Sequence, residues 1–130
     1  MTAELNTITI NGKEYVEKDS IATNAVHSIM PAMKLDGMEY KIVRTKSAGV
    51  FAGYVLEQYE NTVTLINARR LWFWSGASSL SQLAMEGVKN PKECKFPCEV
   101  NKVELFEVVE ILDVTESARK IIAGVPVWKQ

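Results

Sequence analysis

Few residues in this sequence could bind a metal or act as a catalytic base, because its 130 residues include only two cysteines and one histidine. Cys94 and Cys98 have the spacing C-x3-C. A redox pair is usually C-x-x-C, and a zinc site needs about four ligands. His27 lies far from both cysteines in the sequence. We therefore predict reduced cysteines, no metal, no cofactor and no catalytic residues.

Long apolar runs and an excess of charge are also lacking. No run reaches the about 18–20 residues that a membrane-spanning helix needs. Residues 1–12 have neither the basic start nor the apolar stretch of a secretory signal. The formal net charge is −1, so the chain as a whole does not attract nucleic acid or an anionic membrane. We expect a cytoplasmic protein with no membrane partner, in which any anion site is a local cluster.

The N-terminal part of the chain is predicted to be an appendage. Residues 7–16 alternate around Asn11 and Gly12, a pair that supplies the two positive-φ positions of a type I′ turn. They therefore predict a β-hairpin, and a short helix and a break at proline and glycine should follow. We assign residues 1–37 to this appendage and residues 38–130 to the core domain.

Alternating and β-branched residues predict an antiparallel sheet in the core domain. The predicted strands comprise residues 38–45, 50–59, 62–68, 96–100 and 103–112. Residues 69–74 either continue the third strand after a bend or form another one. Residues 103–112 carry apolar side chains at both parities, which predicts a central strand or one covered on both faces.

A first short helix is predicted after the small residues that follow the third strand. Ser78 or Ser79 can cap its start, because a serine hydroxyl accepts a hydrogen bond from a free backbone N–H of the first turn. The helix would run through Glu86, and Gly87 would end it.

A second short helix is predicted near the C-terminus. It would begin at Asp113, which has capping-box spacing with Glu116, or at Thr115, and Gly124 would end it. The predicted fold class is therefore α+β: mainly an antiparallel sheet or small barrel with two short helices, plus the N-terminal β-hairpin.

Residues 67–79 form the most unusual segment, because two of the three tryptophans lie there beside two arginines, ahead of a predicted helix. In a strand, Arg70, Trp72 and Trp74 would share one face. Tryptophan rings stack on bases, guanidinium groups pair with phosphate, and the N–H groups at a helix start attract anions. The predicted ligand-binding residues are Arg69, Arg70, Trp72, Trp74, Ser78 and Ser79. In the alternative interpretation, the tryptophans belong to the core and the arginine stems cover its rim.

Two stretches, residues 41–51 and 67–77, resemble a family of small tailed-phage and prophage proteins of unknown function. The resemblance continues through residues 79–84 and covers roughly residues 38–130. The family brings no established catalytic residues. The resemblance implies a phage-encoded accessory protein in the cytoplasm of the infected bacterial host.

We expect this protein to act by binding and not as an enzyme. The ligand expected for stacking rings and arginines is a cyclic or other signalling nucleotide, and its sequestration would counter a host defence. In the alternative, the protein is an oligomeric protein-interaction or structural module, and the same aromatic residues form a subunit contact. A small nucleotide hydrolase is a third hypothesis. Apolar residues on both faces of several short strands also predict a homo-oligomer.

Overall fold

A computed structural model describes residues 7–10, 13–16 and 30–129, and the chain divides into two units, Met1–Met30 and Pro31–Gln130. In the first unit, strand β1 (Thr7–Ile10) pairs antiparallel with strand β2 (Lys13–Val16). This pairing is the predicted hairpin. The predicted type I′ turn and the short helix after the hairpin lie outside the described residues.

The second unit is built on a five-stranded antiparallel sheet. Its strands are β3 (Tyr40–Thr45), β4 (Val50–Tyr59), β5 (Thr62–Arg70), β6 (Val100–Leu105) and β7 (Val108–Asp113). The strand order is β6-β5-β4-β3-β7. The predicted bounds of β4 are confirmed, and β5 continues two residues past the predicted end at Ala68.

The sheet is strongly curled, because β6 and β7 lie at its opposite edges although only Phe106 and Glu107 connect them. Leu105 ends β6 and Val108 begins β7. Three Cα–Cα steps of about 3.8 Å separate them, so the two edges of the sheet lie within about 11 Å at this end. The Lys46 N–H donates to the Glu107 carbonyl at 3.0 Å, and the Val108 N–H donates to the Asn61 carbonyl at 2.9 Å. The predicted single strand over residues 103–112 is therefore wrong. Glu107 has a φ of 56°, which breaks the strand.

Two clusters of buried side chains fill the two sides of the curled sheet. The cluster that we name the sheet-side core comprises Val43, Phe51, Val63, Leu65, Ala68 and Leu105. The helix-side core includes Ile42, Leu71, Leu83, Phe96 and Ile122. Neighbouring residues such as Ile42 and Val43 enter different cores because successive side chains of a strand point to opposite faces. This arrangement explains the apolar residues at both parities.

Two helices cover the helix-side core. Helix α1 (Leu80–Glu86) begins after Ser79, whose Oγ accepts a hydrogen bond from the Gln82 N–H at 3.1 Å, and it ends at Gly87. The predictions of this helix and its cap are confirmed.

Helix α2 (Glu116–Gly124) begins after Thr115, whose Oγ1 accepts a hydrogen bond from the Ala118 N–H at 3.1 Å. Of the two predicted starts, Thr115 is right and Asp113 is wrong, because Asp113 is the last residue of β7. Gly124 was predicted to end the helix, but it is the last helical residue and Val125 follows as the cap.

Residues 31–37 belong to the second unit, because Ala32 donates a backbone hydrogen bond to Val114 at 2.9 Å. The division of the chain thus falls at Met30, seven residues before the predicted boundary at residue 37. Independent folding of residues 38–130 stays a prediction. Neither helix in the described part of the chain is long and apolar enough to cross a membrane.

Candidate ligand-binding surface

Arg69 was predicted as a ligand-binding residue, but only 3% of it is exposed. Its guanidinium donates three hydrogen bonds to backbone carbonyls: Nε to Pro97 at 3.0 Å, Nη1 to Ile122 at 2.9 Å and Nη2 to Phe96 at 3.1 Å. Burial also lowers the pKa of Arg69. The structure contradicts a role for Arg69 in contacting a surface ligand, because its donors already serve the fold.

Arg70 is the last residue of β5, and its side chain packs on Phe51 of the sheet-side core. Its guanidinium lies 4.3 Å from the centre of the Phe51 ring, and Nη1 donates to the Ala48 carbonyl at 2.6 Å. Because the strand ends at Arg70, the alternation that was predicted to place Arg70, Trp72 and Trp74 on one face does not continue. That part of the prediction is wrong.

The two tryptophans of this segment have different surroundings. Trp74 is half-buried and packs against the helix-side core, as the core interpretation predicted for the tryptophans. Trp72, in contrast, is 59% exposed. Trp72 therefore presents the more accessible ring of the two.

Ser78 and Ser79 serve the start of α1. Ser79 caps the helix, and both the N–H and the Oγ of Ser78 lie 2.8 Å from Gln82 Oε1, to which they donate. The capping role predicted for Ser79 is confirmed. The N–H and hydroxyl of Ser78 are therefore engaged within the helix start, and the anion site predicted there stays a prediction.

Trp72 belongs to an exposed cluster that we name the aromatic-lysine surface. Its members are Trp72, Phe73, Lys95, Val127 and Trp128. The centres of the Trp72 and Trp128 rings are 4.9 Å apart, and their planes are inclined by 34°. The Lys95 Nζ lies 5.6 Å from the centre of the Trp72 ring, 5.8 Å from that of Phe73 and 5.7 Å from that of Trp128. One ammonium group is thus within cation–π distance of three rings.

Backbone hydrogen bonds bring the three segments of this surface together. The Lys95 N–H donates to the Phe73 carbonyl at 2.8 Å, and the Phe73 N–H donates back at 3.3 Å. The Trp128 N–H donates to the Phe96 carbonyl at 3.0 Å, and Val127 forms a parallel bridge with Phe96. The backbone therefore fixes where the aromatic side chains and the lysine emerge.

Beside the aromatic-lysine surface is an open cavity of about 450 Å³, which we name the lysine cavity. It is lined by Lys89, Asn90, Pro91, Lys92, Glu93, Gly124 and Pro126. Two backbone hydrogen bonds shape its wall: the Lys89 N–H donates to the Gly76 carbonyl at 3.2 Å, and the Asn90 N–H donates to the Ser75 carbonyl at 3.3 Å. The Glu93 carboxylate accepts a hydrogen bond from Ser75 Oγ at 3.2 Å.

A polar cluster lies on α2, where the Glu116 carboxylate accepts hydrogen bonds from Arg119 Nε at 2.9 Å and from Arg119 Nη2 at 2.7 Å. These bonds, with one from the Met33 N–H at 2.7 Å, lower the pKa of Glu116 to about 2. Burial raises the pKa of Tyr40, whose ring packs edge-on against Tyr54. Arg119 Nη1 also donates to the Tyr54 hydroxyl at 3.4 Å, so the cluster joins α2 to the sheet and to Met33.

Sequence reasoning found Trp72 but missed Lys95 and Trp128 as members of its surface. They come from segments that are 23 and 56 residues further along the chain (95 − 72 and 128 − 72), and no local pattern links them to Trp72. The one signal was that Trp128 is the third tryptophan of the sequence.

Together, the fold and the surface define a small α+β domain that presents aromatic rings beside lysines. The chain belongs to the family described as domain of unknown function (DUF6948), whose model matches residues 38–122. No curated protein and no solved structure matches the chain. The matched range contains Trp72 and Lys95 and ends before Trp128.

Proposed function

We propose that this protein is an accessory protein of a phage or prophage that binds a nucleotide-type ligand in the host cytoplasm and holds it without turnover. The resemblance of residues 41–51 and 67–77 to phage proteins supports the phage origin. The observation that carries the binding role is the position of the Lys95 ammonium beside the exposed Trp72 ring.

The chemistry of the aromatic-lysine surface suits a base joined to a phosphate. An exposed indole can stack on a base, which contributes about 1–3 kcal/mol per base. The Lys95 ammonium can then pair with the phosphate, and charge-assisted bonds of this kind are about twice as strong as neutral ones. Rings and an ammonium hold a ligand by stacking and charge. Sequestration of an intact signalling nucleotide would be the counter-defence activity.

The second candidate is an oligomeric protein-interaction module, and the exposed apolar residues Phe73 and Val127 favour it. Aromatic residues are enriched in the cores of protein interfaces. A two-fold contact through this surface would bring Lys95 close to Lys95 of a second copy, and like charges facing each other oppose association. The lysines therefore favour an anionic ligand over a second copy at this surface.

The test is to incubate the full chain with a panel of linear and cyclic nucleotides, remove unbound material, and release the bound ligand by heating. Recovery of intact ligand is the expected result. Chemically altered ligand would indicate an enzyme, and depletion of none of the nucleotides would indicate the interaction module.

A matched pair of variants locates the site. Trp72→Ala should weaken nucleotide binding by about tenfold, because a stacked base contributes about 1–3 kcal/mol and about 1.4 kcal/mol is a factor of ten. Phe106→Ala is the control, because Phe106 is exposed to the same extent, 60% against 59%, and lies in the β6–β7 connection. Equal loss in both variants would contradict the assignment to Trp72.

A further inference from the structure

We infer that the ligand contains at least two nucleotides joined by a phosphodiester, with one base on Trp72 and a phosphate in the lysine cavity. This inference rests on the proposed function and names its ligand class. It depends on the short chain segments that link the aromatic-lysine surface to the lysine cavity and on the lysines of both.

Two chain segments connect the surface to the cavity. Lys92 lines the cavity, and Lys95 lies three residues further on, so their Cα atoms are at most about 11 Å apart. Pro126 lines the cavity too, and Trp128 follows two residues later. A ligand that stacks on Trp72 and Trp128 therefore has the cavity within reach of its next nucleotide.

The charges of the cavity favour a phosphate in addition to the one that pairs with Lys95. Lys89 and Lys92 line it and are both exposed. Glu93 is the acidic residue among the cavity-lining residues, and its carboxylate accepts a hydrogen bond from Ser75 Oγ. Together with Lys95, the two cavity lysines place three positive charges within residues 89–95, which suits successive phosphates of one strand.

The shape of the cavity fits the same role. Pro91 and Pro126 lie in its wall and restrict the backbone there. Gly76 has a φ of 97°, and a Cβ at this position would lie 2.4 Å from the backbone nitrogen of Lys89. This close approach of two backbones fixes the position from which Lys89 emerges. The cavity is open to solvent, so the strand that occupies it can continue beyond it.

This chemistry has two sources in an infected cell: a cyclic dinucleotide and single-stranded nucleic acid. Both present a base, a phosphodiester and a second base in succession. The experiment therefore compares AMP, the linear dinucleotide pApA, a cyclic di-AMP and the oligonucleotide dT12. Binding to the full chain is measured by quenching of tryptophan fluorescence and by calorimetry.

We expect the best of the phosphodiester-containing ligands to bind at least about tenfold more tightly than AMP, because it adds a charge-assisted contact in the cavity. Its affinity should also fall more steeply with salt, by about 0.7 in the logarithmic slope for each additional phosphate. If cyclic di-AMP binds tightly and dT12 does not, the source is a cyclic nucleotide. If dT12 binds tightly and cyclic di-AMP does not, the source is nucleic acid.

The double variant Lys89→Ala/Lys92→Ala should reduce dinucleotide affinity to that of AMP and leave AMP binding unchanged. The control is Lys46→Ala/Lys102→Ala, which removes the same charge from exposed positions in the β3–β4 turn and in β6. Equal loss in both double variants would overturn the inference.

Failure of the inference and failure of the proposed function give different results. Equal affinity for AMP and for every phosphodiester-containing ligand, with Trp72→Ala impairing all of them, overturns the inference and leaves nucleotide binding intact. No detectable binding of any of the four ligands overturns both.

Discussion

The Arg69 guanidinium donates a hydrogen bond to the Phe96 carbonyl and lies 5.5 Å from the centre of the ring of the same residue. Phe96 is fully buried, and its backbone neighbour Lys95 carries the ammonium of the aromatic-lysine surface. A second bond from Arg69 reaches the Ile122 carbonyl in the last turn of α2, where the helix dipole favours a cation. One buried side chain thus joins β5, the Lys95 segment and α2.

Replacement of Arg69 by methionine should destabilise the protein strongly. The variant keeps an apolar stem but removes the Arg69 donor from three carbonyls: Pro97, Ile122, which still accepts from the Val125 N–H, and Phe96, which still accepts from the Trp128 N–H. A hydrogen bond to a charged group contributes about 1.5–3 kcal/mol, so the loss of these three bonds should lower the free energy of unfolding by about 3 kcal/mol or more. Urea denaturation measures this loss.

The control for that prediction is Arg70→Met. Arg70 is exposed, and its bond to the Ala48 carbonyl and its contact with the Phe51 ring lie at the surface. An exposed cation–π contact is worth about 0.5–1 kcal/mol, so the control should lose about 1 kcal/mol. A greater loss in the control than in Arg69→Met would contradict the structural role of Arg69.

The stability of the protein should depend on Glu116 below about pH 5. Bonds from Arg119 lower the pKa of Glu116 from 4.5 to about 2 in the folded state. A carboxyl with a depressed folded pKa contributes stability that is complete above the unfolded pKa of 4.5 and is lost as the pH falls towards 2. Glu116→Gln should therefore be less stable than the wild type at pH 7, with a smaller difference at about pH 2.

Urea denaturation at several pH values between 7 and 2 tests this dependence. Glu104→Gln is the control for the removal of one carboxylate, because Glu104 is exposed in β6. If the free energies of unfolding of Glu116→Gln and of the wild type differ by the same amount from pH 7 to pH 2, the bonded Glu116 carboxylate does not stabilise the fold as described.

Gly76 and Gly37 offer a test of the close backbone contact beside the lysine cavity. Both have positive φ values, 97° and 81°, so alanine is strained at either position. At Gly76 a Cβ would also lie 2.4 Å from the backbone nitrogen of Lys89, whereas a Cβ at Gly37 would have no neighbouring atom of the described residues within 4 Å. We expect Gly37→Ala to cost about 1 kcal/mol and Gly76→Ala about 3 kcal/mol or more. Thermal denaturation of both variants measures the difference, and equal melting temperatures would contradict the contact.

Much of the fold follows from local signals in the sequence. The bounds of β4 are set by the turn at Ser47 to Gly49 and by the turn after Tyr59, and the serine cap and Gly87 delimit α1. The division of residues 103–112 into two strands could not be predicted, because the break depends on a glutamate with positive φ. The Lys46 N–H, from a distant part of the chain, donates a hydrogen bond to the carbonyl of that glutamate.

The candidate surface could be predicted only in part, for the same reason. Trp72 was identified because tryptophans and arginines are adjacent in the sequence. The assumption that the strand continued past Arg70 then grouped it with Trp74, whereas the chain leaves β5 there and Trp74 packs on the core. Lys95 and Trp128 join Trp72 through bridges between distant segments, which local periodicity does not reveal.

Trp72→Ala and Trp74→Ala should separate binding from stability. Trp74 packs against the helix-side core, so its removal leaves a void, and we expect a loss of about 2–4 kcal/mol in the free energy of unfolding. Trp72 is 59% exposed and contacts Trp128 and Lys95, so its removal should cost about 1 kcal/mol. Nucleotide binding should show the opposite order, with Trp72→Ala about tenfold or more weaker and Trp74→Ala close to the wild type wherever it is folded. Melting temperature and ligand titration on the same two proteins measure both effects. A folded Trp72→Ala protein that retains wild-type affinity for a ligand recovered from the wild type would show that the ligand binds elsewhere.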